Sequence, residues 1–314
     1  MSKYEQIDLA RVKTYPVQQR LSKVHREELA RPFRRGDFFE TFYDSLPNIL
    51  AAKDLREFVE HLLAARAQGK PIIVMMGAHV IKVGLSPVLV DLMQRGFITC
   101  LAMNGAGVVH DTELALFGQT SEEVAEGLAD GSFGMAAETG EFINGAVARA
   151  RGREVGLGEA MGEALVKAPG AGVKLSLLAN AYAREVPVTV HVGIGTDIIH
   201  QHPNADGGAY GELSYRDFKI FAAHVARLNQ GGVVLNLGSN VLLPEVFLKA
   251  LTVARNIAPP VNNFFTANFD MFNHYRPRVN VVQRPTLQGG KGYNFIGHHE
   301  IMIPLLAAAL KEFS

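Results

Sequence analysis

Ile72-Ile73-Val74-Met75-Met76-Gly77-Ala78-His79 is the stretch that decides the fold. An apolar run of strand length, set off by Pro71 and ended by a glycine turn, reads as a buried β-strand. Just upstream, Leu55, Phe58, Val59, Leu62 and Leu63 have helical spacing. The pattern of apolar run and glycine turn then returns three times. Phe97–Met103 runs into Asn104-Gly105-Ala106-Gly107-Val108-Val109-His110-Asp111. Val186–Val192 runs into Gly193-Ile194-Gly195-Thr196-Asp197. Val233–Leu237 runs into Gly238-Ser239-Asn240. Helical segments lie between, among them Pro87–Met93, Leu175–Tyr182, Tyr215–Arg227 and Pro244–Ile257. Phe264–Thr266 and Val279–Val282 read as late strands, and Ile301–Leu310 as a C-terminal helix. Strands alternating with helices predict an α/β, Rossmann-like fold, a mostly parallel sheet with helices on both faces.

Composition narrows the class of partner. Of 314 residues, 48% are hydrophobic and 20% charged, enough for a large core. Lys and Arg equal Asp and Glu at 31 each, which argues against nucleic acid or an anionic membrane as the main partner. Cys100 stands alone inside an apolar run and reads as a buried, inert thiol suited to a reducing cytoplasm. The start carries Lys3, Glu5, Asp8 and Arg11 without an apolar leader, and no run approaches the ~20 apolar residues that span a bilayer. A cytoplasmic protein is expected. Residues 1–45 differ from the rest. Arg31, Arg34 and Arg35 alternate there with Phe33, Phe38, Phe39, Phe42 and Tyr43. They read as an N-terminal helical arm for packing or subunit contact, with 46–314 as one domain and a homo-oligomer as the expected assembly.

The turns carry the candidate chemistry. Glycine lets backbone approach a phosphate closely at the mouth of an open α/β sheet. Gly105-x-Gly107-x-x-His110 departs from the dinucleotide fingerprint by its histidine, and Gly193-x-Gly195-x-x-Ile198 departs similarly. Ordinary tight turns are the plainer reading of each. His110, Asp111, Asp197 and Asp270 fall near strand ends, where carboxylates bind hydroxyls or a cationic amine. For Asp111 and Asp197, helix capping is an equal alternative. Lys291, in the glycine loop Gln288–Gly292, is a candidate nucleophile or an ordinary solvated cation. His200-x-His202 and His298-His299-Glu300 resemble metal ligands, but no H-E-x-x-H or C-x-x-C accompanies them, and no metal is expected.

From about Lys70 onward the chain resembles the deoxyhypusine synthase family. The resemblance is carried by Ile73–Gly84, Phe97–Asp111, Ser176–Asp197, Val233–Asn240, Thr266-Ala267-Asn268-Phe269-Asp270 and Arg284-Pro285…Gly290-Lys291. Ala102–Gly118 also resembles the NAD-binding domain of LOR/SDH-type ornithine cyclodeaminases, which have a related fold. These resemblances imply NAD and an amine substrate. They imply a deoxyhypusine or homospermidine synthase-like aminobutyl transfer through an imine on Lys291, within a homotetramer. Asp270 and Asp197 would hold the amine, and His110 stands where the family has a carboxylate. Gly77, Ala78, His79, Asn104, Gly105, Ala106, Gly107, Asp111, Gly238, Ser239, Asn240, Thr266 and Ala267 would line NAD. An NAD-assisted ornithine-type deaminating lyase and a non-catalytic nucleotide-binding protein are the alternatives. The chain departs from the family's pattern in having no Trp before Gly290-Lys291 and Leu243-Pro244 where the family has Lys-His.

Overall fold

Strand β1 (Ile72–Met76) is buried at every position, as its unbroken apolar run requires of a central parallel strand. It pairs in parallel with β2 (Cys100–Asn104) on one side and β4 (Val233–Leu237) on the other. Outside these lie β3 (Val188–His191), β5 (Phe264–Asp270) and the edge strand β6 (Gly290–Ile296). The order is β3-β2-β1-β4-β5-β6, all parallel. This is the doubly wound α/β fold. The chain direction across the sheet reverses between β1 and β4, which leaves a crevice at their C-terminal ends. The computed structural model describes residues 2–170, 172–257 and 260–314.

In chain order the first helices are α1 (Phe39–Ser45), α2 (Leu50–Ala67), α3 (His79–Lys82), α4 (Ser86–Gln94) and α5 (Gly105–Phe117). They are followed by α6 (Val124–Asp130), α7 (Ala137–Ala150), α8 (Leu157–Val166) and α9 (Leu177–Ala183). The last four are α10 (Gly207–Val225), α11 (Leu242–Ile257), α12 (Tyr275–Pro277) and α13 (His299–Glu312). Alternate residues of β1 face opposite layers, as the strand period demands. Ile73 and Met75 pack with Phe221 and Val225 of α10 and Phe247 of α11. Val74 lines a small apolar cavity with Leu62 of α2, Leu89 of α4 and Leu306 of α13. Each such side chain contributes about 1.5–3 kcal/mol on burial.

Two buried polar devices hold the strand ends in place. Asn236, Asn268 and Asn294 stand in register across β4, β5 and β6. The Asn236 amide donates to the Asn268 side chain (2.8 Å), and the Asn268 amide donates to that of Asn294 (2.9 Å). Asn236 also donates to the Ser239 carbonyl (3.0 Å), which fixes the turn after β4. On α10, buried Asp217 accepts from the backbone N–H groups of Gly158 (2.9 Å) and Val190 (2.8 Å). It thereby ties the start of α8 to β3.

The late segments differ from their sequence reading. Val279–Val282, expected as a strand, lies in a turn of π-helix, Arg278–Gln283, that buries Val281 completely. Packing against α11 and β5 overrides β-propensity there. The expected loop at Gln288–Gly292 runs into strand β6, with Gly290, Lys291 and Gly292 already in the ladder.

The chain forms two compact units, Met1–Lys53 and Asp54–Ser314. Among its described residues the first contains three short 3-10 turns, at Leu9–Arg11, Val17–Gln19 and Arg26–Glu28, the α-helix α1 and the first residues of α2. Its arm is therefore helical over a small part of its length. Within it the Arg31 N–H donates to the Ser45 carbonyl (2.9 Å), and Phe39 stacks on Tyr43. Ile7 (86%), Leu21 (98%) and Phe38 (81%) are left exposed. No helix among the described residues is long and apolar enough to cross a membrane.

Candidate functional site

The crevice between β1 and β4 is walled by backbone. A Cβ on Gly77 would lie 2.6 Å from the Gly238 carbonyl oxygen, so the two turns meet without side chains. Gly238 has φ +67°, in the left-handed region, and a Cβ there would strike the His299 imidazole at 2.7 Å. His299 starts α13. Its Nε2–H donates to the Phe269 carbonyl (3.1 Å), while Nδ1 is buried without a partner. The His79 ring meets that of His299 edge-on at 5.8 Å. Ala78 caps α3, Ser239 Oγ accepts from the Leu243 N–H (3.2 Å) at the start of α11, and Asn240 is exposed beside it. Asp270 ends β5. Its Oδ1 accepts from the Phe272 N–H (3.3 Å), and its buried Oδ2 has no partner. Two orphaned acceptors, Asp270 Oδ2 and His299 Nδ1, beside a bare backbone wall and the start of α11 suit the hydroxyls of a ribose. These residues fit a dinucleotide.

A cleft of about 780 Å³ opens at the ends of β2 and β3. Its walls include Lys82, Ala106, His110, Glu113, Glu122, Glu138, Thr139 and Asp197. Four carboxylates against one lysine make it a cation-attracting cleft. Asp197 is 8% exposed, and its Oδ2 is buried without a partner. Burial pushes its pKa up to about 6, with the Ala106 N–H pulling against it. The carboxylate lies at the start of α5, where a Cβ on Gly105 would be 2.0 Å from Oδ2. Loop 193–197 is held by His200, whose Nδ1 accepts from the N–H groups of Gly195 (3.2 Å) and Asp197 (3.3 Å). Burial lowers the His110 pKa, partly countered by Glu113, so the ring is neutral at physiological pH. Crevice and cleft are neighbours. Helix α3 has His79 at the first and Lys82 at the second, about 4.5 Å apart along the axis.

The structure separates several residues that the sequence suggested would act together. At the start of α5, Asp197 occupies the place where the sequence reading put a pyrophosphate. Asn104 caps α5, accepting from the Gly107 N–H (3.1 Å), and the Cα of Gly107 faces the Met103 side chain. Asp111 is 1% exposed and points away from the crevice, holding the start of α9. Thr266 and Ala267 lie inside β5, fully buried between β4 and β6, and do not reach its end. The Asp197 carboxylate lies at the start of α5, after β2, while Asp270 ends β5, three strand spacings or roughly 14 Å away, too far to grip one ammonium group. Lys291 pairs with Phe265 at the start of β5, five residues before the Asp270 register, or about 16 Å from the strand ends. Its ammonium contacts Glu57 (2.6 Å) and Asp54 (3.2 Å). Burial works against its charge, but the two carboxylates outweigh it and raise the pKa. A lysine held this way is a poor nucleophile. Lys291→Met is expected to leave ligand binding unchanged and cost at most about 1 kcal/mol, the scale of a surface ion pair. A large loss of ligand affinity measured by calorimetry would contradict that placement.

The sequence reading missed Glu113, Thr120, Thr139 and Lys82. A faint signal existed, since Glu113 follows His110 by three residues and so shares its helix face.

No protein-family model matches the sequence, and no curated protein matches it. Solved structures do match. One is AgrE in a ternary complex with ornithine and NAD+, at TM-score 0.52 and 14% identity over 83% of this chain and 33% of that one. A "conserved putative LOR/SDH protein" of Methanococcus maripaludis S2 matches at TM-score 0.50 and 15% identity, over 89% of this chain and 72% of that one. A "putative deoxyhypusine synthase" of Entamoeba histolytica matches at TM-score 0.50 and 10% identity, over 89% and 95%. The chain spans about a third of the length of AgrE and of ArgZ, an arginine dihydrolase from cyanobacteria. The fold is thus the Rossmann-type fold of deoxyhypusine synthase-like and LOR/SDH-like proteins, and the sequence resemblance holds at that level.

Proposed function

We propose that this protein is an NAD-dependent enzyme that acts on a small amine. The carrying observation is the pairing of a backbone-walled crevice, with orphaned Asp270 and His299, and an adjoining acidic cleft, with orphaned Asp197. NAD+, when bound, supplies a hydride acceptor for the carbon that bears the amine. The crevice turns at Gly77 and Gly238, with Asp270 and His299, would hold it. Asp197 would bind the substrate ammonium and orient it. His110, neutral and half-buried, would accept the proton that must leave before the amine carbon is oxidised. Solved structures of this fold include one that holds NAD+ and ornithine, which agrees with this reading.

Aminobutyl transfer through Lys291 is not part of the proposal, because that lysine lies at the far end of the sheet. A deaminating lyase needs no such imine, and the placement of Lys291 favours it as the finer reading. The exposed apolar residues of the N-terminal unit support a homo-oligomer in which the arm is covered by a second copy. The reaction is tested by incubating the protein with NAD+ and a panel of alkyl diamines and diamino acids. Release of ammonia from one of them is expected, with no net growth of reduced-nicotinamide absorbance, because a deaminating lyase returns the hydride it takes. Neither ammonia nor reduced nicotinamide from any member would favour the non-catalytic, nucleotide-binding alternative.

A further inference from the structure

The imidazole of His110 belongs to a chain of hydrogen bonds. Its Nδ1 lies 2.6 Å from Thr120 Oγ1. The Thr120 hydroxyl donates to Glu113 Oε2, and the other carboxylate oxygen of Glu113 accepts from the Thr139 hydroxyl at 3.0 Å. The parts come from three places. His110 and Glu113 are three residues apart on α5, Thr139 is buried on α7, and Thr120 follows the left-handed turn at Gly118 (φ +74°) that ends α5. That turn folds Thr120 back over the last turns of the helix.

Proton counting fixes the direction of the chain. A carboxylate accepts only, and a threonine hydroxyl has a single proton. With that proton committed to Glu113, the Thr120 oxygen bonds to Nδ1 only by accepting. Nδ1 of the neutral ring must therefore carry the hydrogen, which leaves the lone pair on Nε2. The hydrogen bond at one imidazole nitrogen sets the tautomer of the other. His110, Glu113, Thr120 and Thr139 all line the acidic cleft.

We propose that Thr120 and Glu113 are positioning residues that hold His110 in the Nδ1–H tautomer, making Nε2 the atom that takes a proton from a substrate ammonium in the cleft. The proton-acceptor part rests on the amine reading above. In the step, the Nε2 lone pair forms an N–H bond as one ammonium N–H breaks. The substrate keeps the electron pair as a neutral amine, and His110 becomes an imidazolium with both nitrogens protonated. The Nδ1–H bond to Thr120 persists throughout, and the negative charge of Glu113 stabilises the new positive charge. Thr120 lies on the segment leading to α6, a helix that buries none of its side chains, so the chain is complete only while this segment lies against α5.

Long-range 15N–1H correlation spectra of the full chain test the tautomer without cofactor or substrate. The account expects a protonated Nδ1 and an unprotonated Nε2 at His110. An Nε2–H form in the wild type would overturn it. Thr120→Val should release the preference and lower kcat for the amine about 10- to 100-fold, a loss at the small end of general-base effects, with NAD affinity unchanged. Thr120→Ser should restore both the spectrum and the rate. A Thr120→Val protein with unaltered spectrum and rate would overturn the positioning role. A wild type that shows the Nδ1–H form but binds no amine would overturn the amine reading, and the proton-acceptor role with it, while the tautomer assignment stood.

Discussion

Asp111→Ala is expected to lower the free energy of unfolding by about 3–5 kcal/mol, one of the largest single-residue losses in the chain. Asp111 accepts from the Ser176 hydroxyl (2.6 Å) and from the backbone N–H groups of Leu177 (2.8 Å) and Leu178 (3.1 Å). Burial pushes its pKa up, and these three donors pull against burial. Alanine would leave two backbone donors at the start of α9 without partners, in a place closed to water. Each such orphan costs about 1–3 kcal/mol. Asp111→Asn keeps one acceptor oxygen and should lose less. Urea unfolding of the three proteins measures the series. A loss for Asp111→Ala below about 1 kcal/mol, the scale of an exposed site, would contradict the clamp.

The largest functional effect is expected at Asp197. Asp197→Asn keeps the volume and an oxygen to accept from the Ala106 N–H, but removes the charge. Affinity for an alkyl diamine should fall about 10- to 100-fold at neutral pH, the worth of one hydrogen bond to a charged group. The sign with pH follows from the direction of the shift. With its pKa raised to about 6, Asp197 is protonated below that value and a carboxylate above it. An alkylammonium stays charged up to about pH 10. Wild-type affinity should therefore rise more than that of the variant as pH climbs through about 6, protonation of His110 in acid weakening both alike, and the two should converge in acid. Calorimetric titrations across this range measure both curves. Equal affinities at neutral pH would remove Asp197 from the amine site.

Much of the fold is legible in the sequence because a parallel sheet covered on both faces demands unbroken apolar strands. Ile72–Met76 is such a run, Val233–Leu237 is broken only by Asn236, and the structure places the two side by side at the centre. The glycine turns mark the strand ends for the same reason, since chain leaving a buried strand must turn at once. The edge of the sheet is harder to read. Gly290-Lys291-Gly292 looks like a loop because glycine is depleted in strands. In the structure a Cβ on Gly290 would meet the Phe264 carbonyl at 1.9 Å and one on Gly292 the Val282 carbonyl at 2.0 Å. These glycines serve close approach of neighbouring backbone, and Lys291 is carried to the wrong end of β6 for chemistry at the crevice.

The site is less legible than the fold because its contacts join distant residues. Asp111 finds its partners 65 to 67 positions later, and nothing local distinguishes that clamp from a ligand-binding carboxylate. Asp197 and His110 are visible as polar residues after apolar strands. That Asp197 closes the start of α5, and that His110 leans on Thr120, follow only from the turns at 193–197 and Gly118.

The most direct measurement is calorimetric titration of the protein with NAD+, then of the NAD-saturated protein with an alkyl diamine. The account predicts saturable NAD+ binding at one site per chain, followed by diamine binding that Asp197→Asn weakens and Lys291→Met does not. A wild-type protein that takes up no NAD+ would contradict the reading of the crevice and, with it, the proposed function.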